Sequence, residues 1–234
     1  MPDAEQHAAH HGEVTELHQN HREDGGRVQV PTTIGIGYRS QMDQHLDGKF
    51  YTNTTALNTG AEADLKLPDI VTVSIRQVIA PNARLLGTFE WTHWSRFQDL
   101  TVNATEGGAT VLGAKAAGTT IASLPQNWHD SWFLSVGGEY DLSQTVTLRT
   151  GFAYEQSPIQ NALERNIAIP DANRYWMSFG ASWRALENVT FDLAYSHLFI
   201  EDGAFDRTSL SGTRETGSIK ASTDIVSVGL KTKW

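Results

Sequence analysis

The 234-residue sequence contains no cysteine, which excludes disulfides and thiolate metal sites. No apolar run approaches the roughly 18 residues that a membrane-spanning helix requires. The formal net charge of -9 argues against nucleic-acid binding, which needs clustered lysine and arginine. Residues 1–26 carry no basic start followed by an apolar stretch, so no export signal is visible. The GxSxG, HExxH and phosphate-loop motifs are also missing, and we expect neither an enzyme nor a bound cofactor.

What the sequence does have is strict alternation of apolar and polar residues over many short segments. The apolar positions of one such segment are Tyr175, Met177, Phe179, Ala181 and Trp183. A period of two places successive side chains on opposite faces of a β-sheet. The residues between them are mostly small and polar, and several segments share the pattern. This arrangement predicts a membrane β-barrel with lipid outside and a polar lumen inside.

The alternation predicts about eight strands joined by connections of two kinds. The predicted strands cover residues 27–47, 69–79, 83–97, 128–142, 146–156, 175–184, 189–196 and 226–234. The predicted tight turns are at 80–83, 142–145 and 185–188, and the predicted long loops are at 48–66, 98–127, 157–173 and 201–222. Short turns on one side and long loops on the other are typical of outer-membrane barrels. We therefore predict an all-β fold, a transmembrane antiparallel up-and-down β-barrel.

The first 26 residues do not follow the strand pattern. This polar, acidic segment carries five histidines, which are His7, His10, His11, His18 and His21. Imidazoles suit zinc or nickel, and spacings of three can place ligands on one helix face. The composition favours a disordered tail instead, and we predict no metal site. The barrel portion is then expected to cover residues 27–234.

Four segments resemble the FadL/TodX (OMPP1) family of outer-membrane transporters of hydrophobic compounds. They are 67–71 (LPDIV), 91–97 (WTHWSRF), 149–158 (RTGFAYEQSP) and 169–176 (IPDANRYW). The resemblance runs in order from about residue 37 to the last residue. It implies a fourteen-stranded barrel, plugged by an amino-terminal hatch, through which long-chain fatty acids or other hydrophobic molecules pass without energy input. This chain is similar to the carboxy-terminal eight strands alone, so the hatch and the early strands would be missing.

A fatty-acid site needs an apolar groove and a cationic group for the carboxylate. Lys115 is the single lysine or arginine between Phe97 and Glu139 and is the candidate for ligand binding; the alternative is a solvated loop lysine. The strand faces predicted to line the lumen carry Arg149, Glu155, Arg174, Trp176, Arg184, Asp192 and Lys231. These side chains could line a ligand path, or they could pair with one another, as buried charges must.

The resemblance implies passive uptake of fatty acids or hydrocarbons by an outer-membrane channel that lacks its hatch. The expected partners are these hydrophobic molecules, the lipid of the outer membrane, and the barrel-assembly machinery, which would engage the carboxy-terminal Trp234. Three alternatives stay open. They are a closed eight-stranded structural or adhesion barrel, a soluble lipid-binding barrel with apolar residues inside, and a barrel hydrolase that uses Ser196 and His197.

Overall fold

The fold consists almost entirely of antiparallel β-strands, in a computed structural model that describes residues 15–18, 31–50, 59–110, 113–165, 169–208 and 212–233. The described strands are β1 (Thr15–His18), β2 (Thr32–Arg39), β3 (Met42–Phe50), β4 (Thr59–Leu67), β5 (Ile70–Ala80), β6 (Ala83–Thr92), β7 (Asp99–Ala104), β8 (Gly108–Thr110), β9 (Gly113–Lys115), β10 (Thr120–Pro125), β11 (Ser131–Asp141), β12 (Val146–Glu155), β13 (Arg174–Leu186), β14 (Val189–Ile200), β15 (Gly203–Thr208), β16 (Arg214–Ile219) and β17 (Ser222–Thr232). A 3-10 turn spans Trp94–Arg96. In the described ranges, no helix has the length and apolar character needed to cross a membrane.

The largest sheet contains nine strands in the order β1-β2-β5-β6-β11-β12-β13-β14-β17. All neighbours are antiparallel, and from β2 onward each strand of this sheet pairs with the strand of the same sheet that follows it along the chain. The two described edge strands, β1 and β17, do not pair with each other, so the barrel is not closed. We call this the barrel sheet. Its order confirms the predicted up-and-down topology.

Short turns join three neighbouring pairs of barrel strands at one end of the sheet. They follow β5, β11 and β13, where two to four residues separate one strand from the next. In the turn after β11, the backbone N–H of Leu142 donates to Val146 O at 2.9 Å. All three tight turns lie where the sequence predicted them. The opposite end of the barrel sheet, which we call the loop end, carries the longer connections.

The two faces of the barrel sheet differ in side-chain chemistry. Large apolar side chains on one face are exposed, including Val228 at 79%, Val136 at 58% and Leu193 at 56%. They occupy the alternate positions that the sequence predicted to face lipid. On the opposite, polar face, hydrogen bonds between hydroxyls cross the strands, as between Ser74 and Thr88 at 3.1 Å. Exposed apolar surface on this scale marks contact with a nonaqueous environment.

Much of what the sequence predicted as long loops is β-structure. A second sheet has the strand order β10-β7-β4-β3, and two hairpins pair β8 with β9 and β15 with β16. The single strand predicted over 27–47 is wrong in its second half. Ser40 and Gln41 separate two strands. The strand before them, β2, pairs with β5, and the strand after them, β3, pairs with β4. The regular apolar alternation ends at Tyr38, and the polar residues that follow suit a strand in water.

The second sheet, which we call the loop sheet, has a core of the kind found in soluble proteins. Ala61, Ala104 and Ile121 are buried together, at 9%, 0% and 2% exposure. A neighbouring cluster contains Phe97 and Trp128, whose rings meet edge-on with centroids 5.0 Å apart. The strand predicted over 83–97 therefore ends early. The reason is that the chain leaves β6 at Thr92 and turns so that Phe97 enters this cluster.

Strand β1 corrects part of the prediction for the amino-terminal tail. Residues 15–18 lie in the segment predicted to be disordered, yet they pair with β2, with Thr15 opposite Ile36 and His18 opposite Thr33. The remaining residues of the 1–26 segment lie outside the described residues, as do the four histidines His7, His10, His11 and His21.

Candidate functional site

A row of ion pairs and hydrogen bonds crosses the polar face near the tight turns. We call it the charge row; its members are Arg76, Arg84, Glu139, Asp141, Arg149, Ser182, Asp192 and Lys231. On β6, Arg84 donates from Nε to Glu139 Oε2 at 3.0 Å and from Nη2 to Asp141 Oδ1 at 2.7 Å. Arg76 on β5 lies 3.9 Å from the same Glu139 carboxylate. Each carboxylate of the charge row has at least one cationic partner.

The charge row continues across the last strands of the sheet. Arg149 donates from Nε to Glu139 Oε1 at 2.8 Å and from Nη1 to Ser182 Oγ at 2.5 Å. Ser182 donates in turn to Asp192. Lys231 on β17 reaches Asp192 Oδ2 at 2.8 Å. Three of the residues predicted to face the lumen thus join one network, which agrees with the expectation that such charges pair with one another.

Three further predicted lumen residues meet at the loop end of the sheet. Trp176 donates from Nε1 to Glu155 Oε2 at 3.1 Å, and Arg174 Nε lies 3.3 Å from the same oxygen. Arg174 also donates from Nη2 to Asp171 Oδ1 at 2.8 Å. Arg184, by contrast, is exposed beside the last tight turn, where its backbone N–H donates to the carbonyl of Thr145. The register places all seven predicted residues on the polar face.

Sequence reasoning missed several members of the charge row. Arg84, Glu139 and Asp141 flank Leu85 and Tyr140, which the sequence predicted to face lipid. The same alternation that put those apolar side chains outside could have put their charged neighbours inside. Which charges lie beside one another across the strands depends on the register, and alternation within one strand does not determine it.

Between the charge row and the loop end, the polar face is lined by small residues. Gly137 lies opposite Gly151, and Gly151 lies opposite Ser178. A Cβ added to Gly137 would come within 3.1 Å of the carbonyl oxygen of Thr150, so a side chain there would require the neighbouring strand to move by a few tenths of an ångström. These residues line a cavity of about 450 Å³ that also reaches Arg149 at one end and Trp176 at the other. The small side chains leave room for a ligand against the sheet.

The connection after β12 is held by a buried arginine that the sequence did not single out. Arg165 is 8% exposed and donates from Nε to Asp171 O at 2.8 Å and from Nη2 to Ile159 O at 3.3 Å. It also donates from Nη1 to the carbonyl of Ala204, on β15. One guanidinium thus ties together two long connections. No short sequence pattern signals this role, because its partners are backbone carbonyls far apart in the chain.

Two sequence predictions fall outside what the structure describes. Lys115 ends strand β9, but its side chain is not among the described residues, so its role in ligand binding stays a prediction. Trp234 also lies outside the described residues, and its engagement of assembly machinery stays a prediction.

The geometry contradicts a hydrolase built on Ser196 and His197. His197 Nδ1 lies 2.7 Å from Asp224 Oδ1 on the apolar face. The Ser196 hydroxyl lies on the polar face, 2.8 Å from the hydroxyl of Ser178. Adjacent residues of a strand point to opposite sides, so this serine cannot pass its proton to this histidine.

Comparison with known sequences decides the family. The sequence profile described as outer membrane protein transport protein (OMPP1/FadL/TodX) matches residues 28–234. The chain belongs to this family. It is 30% identical over 196 residues to a protein of Neisseria meningitidis serogroup B named as an outer membrane protein, covering 76% of this chain and 41% of that one. It is 28% identical over 134 residues to the long-chain fatty acid transport protein of Escherichia coli K12, covering 57% of this chain and 27% of that one.

Solved structures of the OMPP1/FadL/TodX family have the same architecture. A crystal structure of a Pseudomonas aeruginosa FadL homologue matches with a TM-score of 0.75 and 25% identity, over 86% of this chain and 49% of that one. The Ralstonia pickettii toluene transporter TbuX matches in fold, with a TM-score of 0.55 and 19% identity, over 86% of this chain and 44% of that one. The chain therefore spans half or less of the length of these relatives. Its barrel sheet is part of a transmembrane β-barrel of the Gram-negative outer membrane, as the sequence predicted.

Proposed function

We propose that this chain forms part of the wall of a channel for passive uptake of long-chain fatty acids or related hydrophobic compounds across the outer membrane. In this proposal the polar face of the barrel sheet lines the lumen, and the exposed apolar face contacts lipid. Membership of the OMPP1/FadL/TodX family supports a transport role. The observation that carries the proposal is the cavity of small residues on the polar face, with a cation at one end.

The cavity suits part of the chain of an amphipathic ligand in size and polarity. Two steps of two residues separate the position of Trp176 from that of Gly180, which lies opposite Arg149, so the two ends are about 13 Å apart. The wall between them is mostly glycine, serine and alanine, with Thr88, Phe133 and Leu86 at the margins. An alkyl chain gains free energy by leaving water for such a surface, and it needs no hydrogen-bond partner there.

Arg149 is placed to receive the ligand carboxylate. Its Nε and Nη1 are engaged by Glu139 and Ser182, while Nη2 makes no hydrogen bond with a described residue. The Arg149 side chain is 42% exposed, so a ligand can reach it. Charge-assisted hydrogen bonds between guanidinium and carboxylate are among the strongest polar contacts in proteins. This favours fatty acids over uncharged hydrocarbons as the ligand class.

The first experiment locates the ligand on the sheet. A photoreactive fatty acid is added to the protein in liposomes, and labelled peptides are identified by mass spectrometry. Ser178→Phe fills the cavity, and Met177→Phe alters the neighbouring residue on the apolar face. We expect labelling of the polar face and several-fold lower uptake in Ser178→Phe, with Met177→Phe unchanged. Labelling confined to the apolar face would mean that the fatty acid enters as bulk lipid, and this would refute the proposal.

The second experiment tests the ligand class. Arg149→Gln removes the proposed carboxylate partner, and Arg184→Gln removes an exposed charge from the same face as a matched control. A hydrogen bond to a charged group contributes roughly 1.5–3 kcal/mol, so fatty-acid affinity should fall about tenfold or more in Arg149→Gln. Binding of an uncharged hydrocarbon of similar length should not change. Equal losses for both ligands would show that Arg149 shapes the cavity and does not recognise the carboxylate.

A further inference from the structure

The hairpin of β3 and β4 carries a cluster of metal-ligating side chains on its exposed face. His45 lies opposite Asp64, and Asp47 lies opposite Glu62, so four side chains share one side of a paired ladder. From Nε2 of His45 the distances are 3.5 Å to Asp47 Oδ1 and 4.0 Å to Glu62 Oε2. The other ring nitrogen, Nδ1, lies 2.7 Å from Asp64 Oδ1.

These distances are slightly longer than the spacing of ligands around a tetrahedral metal ion. Zinc binds histidine nitrogen and carboxylate oxygen at about 2.0–2.2 Å, so two ligand atoms in a tetrahedral site lie about 3.3 Å apart. The ligand atoms of His45, Asp47 and Glu62 lie within 4.8 Å of one another. Small rotations of exposed side chains on a fixed backbone ladder would close the remaining gap. Three protein ligands would leave the fourth position to water.

The contact between His45 and Asp64 supplies the orientation that a metal-binding imidazole needs. Histidines that bind metals through one nitrogen usually donate the other ring N–H to a carboxylate, which fixes the tautomer and raises the basicity of the ligand atom. Here a hydrogen bond from Nδ1–H to Asp64 leaves the lone pair of Nε2 directed at Asp47 and Glu62.

The cluster carries more negative than positive charge, and a bound cation would reduce this excess. Among the described residues, the ion-pair partner of Asp47, Glu62 and Asp64 is His45. In the charge row, by contrast, every carboxylate is paired with arginine or lysine. Three carboxylates around one imidazole repel each other at neutral pH, and a divalent cation would relieve this repulsion.

We propose that Nε2 of His45, together with the carboxylates of Asp47 and Glu62, binds a divalent transition-metal ion of the zinc class on this hairpin, with Asp64 as the positioning residue. Imidazole selects such ions over calcium and magnesium, which prefer oxygen alone. The ion would link β3 to β4. The site lies outside the barrel sheet and does not depend on the proposed transport function.

The test measures Zn²⁺ binding in the full chain after removal of competing ligands. In the parent variant, the five amino-terminal histidines His7, His10, His11, His18 and His21 are replaced by glutamine. Calorimetry should then show one bound Zn²⁺ per chain. His45→Gln should weaken this binding at least tenfold, whereas Asp43→Asn on the same hairpin face and Gln44→Ala on the other face should leave it unchanged. Absence of Zn²⁺ binding in the parent, or equal binding in His45→Gln, would overturn the proposal.

A spectroscopic readout distinguishes a metal site from a structural role. Four histidines remain in the parent variant, since five of nine are replaced. With histidine labelled for NMR, Zn²⁺ should shift one imidazole, which His45→Gln identifies. Asp64→Ala should weaken binding about 10–100-fold, the usual cost of losing such a carboxylate, and should change the tautomer of His45 in the metal-free protein. A shift at His93 or His129 in its place would assign the ion to another site and refute the proposal.

Discussion

The barrel sheet and the loop sheet share one backbone geometry and carry opposite side-chain patterns. In the barrel sheet, Leu193 and Val228 are exposed while Ser182, on the other face, is 8% exposed. In the loop sheet, Ala104 and Ile121 are buried while His45 and Asp64 face the solvent. Both sheets pair their backbone groups across antiparallel strands. The difference shows that the medium outside each sheet, and not the backbone, decides which side chains point outward.

The largest difference between the two sheets is expected when the same charge is placed on an exposed leucine of each. Leu193 is 56% exposed on the barrel sheet and Leu46 is 47% exposed on the loop sheet. Arginine near the middle of a lipid-facing strand costs about 2–4 kcal/mol, whereas a surface change in water stays within about 0.5 kcal/mol. We expect Leu193→Arg to lower the free energy of unfolding by the larger amount and Leu46→Arg to have little effect. Denaturant titration in liposomes measures both, and equal effects would contradict the lipid assignment.

The next test exchanges an isoleucine of each sheet for alanine. Ile121 is 2% exposed in the core of the loop sheet, and Ile75 is 46% exposed on the apolar face of the barrel sheet. Ile121→Ala leaves a cavity and should destabilise its surroundings by about 2 kcal/mol. Ile75→Ala should cost less, because lipid can fill the space. Hydrogen exchange at the amides of β7 and β10 should accelerate in Ile121→Ala and not in Ile75→Ala.

A smaller effect is expected from the charge row, which crosses the barrel sheet near its tight turns. The Arg84 side chain is 13% exposed and contacts two carboxylates. Arg84→Met leaves both without this partner and should cost about 1–2 kcal/mol. Arg184→Met, at an exposed position on the same face, should be near neutral. If unfolding titrations give the two variants the same stability, the charge row does not stabilise the sheet.

The smallest effect is expected in the pH dependence of the stability of the loop sheet. The hydrogen bond from His45 to Asp64, aided by the nearby Asp47 carboxylate, raises the pKa of His45 above its usual 6.5. The pKa of His45 is higher in the folded than in the unfolded protein. The contribution of this contact to the free energy of unfolding is therefore fully present below about pH 6.5 and is lost as the pH rises through the raised pKa. NMR titration of the His45 imidazole with chelator present should show this midpoint, and Asp64→Ala should lower it. A midpoint that stays the same in Asp64→Ala would exclude Asp64 as the cause.

The sequence predicted the barrel strands well because contact with lipid requires an apolar side chain at every second position. Met177 and Val228 follow this rule, and the structure exposes both. The same rule does not apply in the loop sheet. There β4 and β7 lie largely in segments predicted to be loops, and β3 was predicted mainly as the end of the first barrel strand. The candidate site was predicted in part. Arg149 and Asp192 were found from alternation, while Arg165 was not, since its carbonyl partners come from distant connections.

Alternation along the chain by itself determined the barrel strands, their tight turns and the identity of the two faces, because a period of two is a local property that any membrane strand must satisfy. The tertiary structure alone decided which charges meet. Glu139 receives both Arg84 and Arg149 because three strands lie in register. His45 faces two carboxylates of β4 because a hairpin folds back on itself. Such contacts depend on the register between separate strands, and the sequence of one strand does not determine that register.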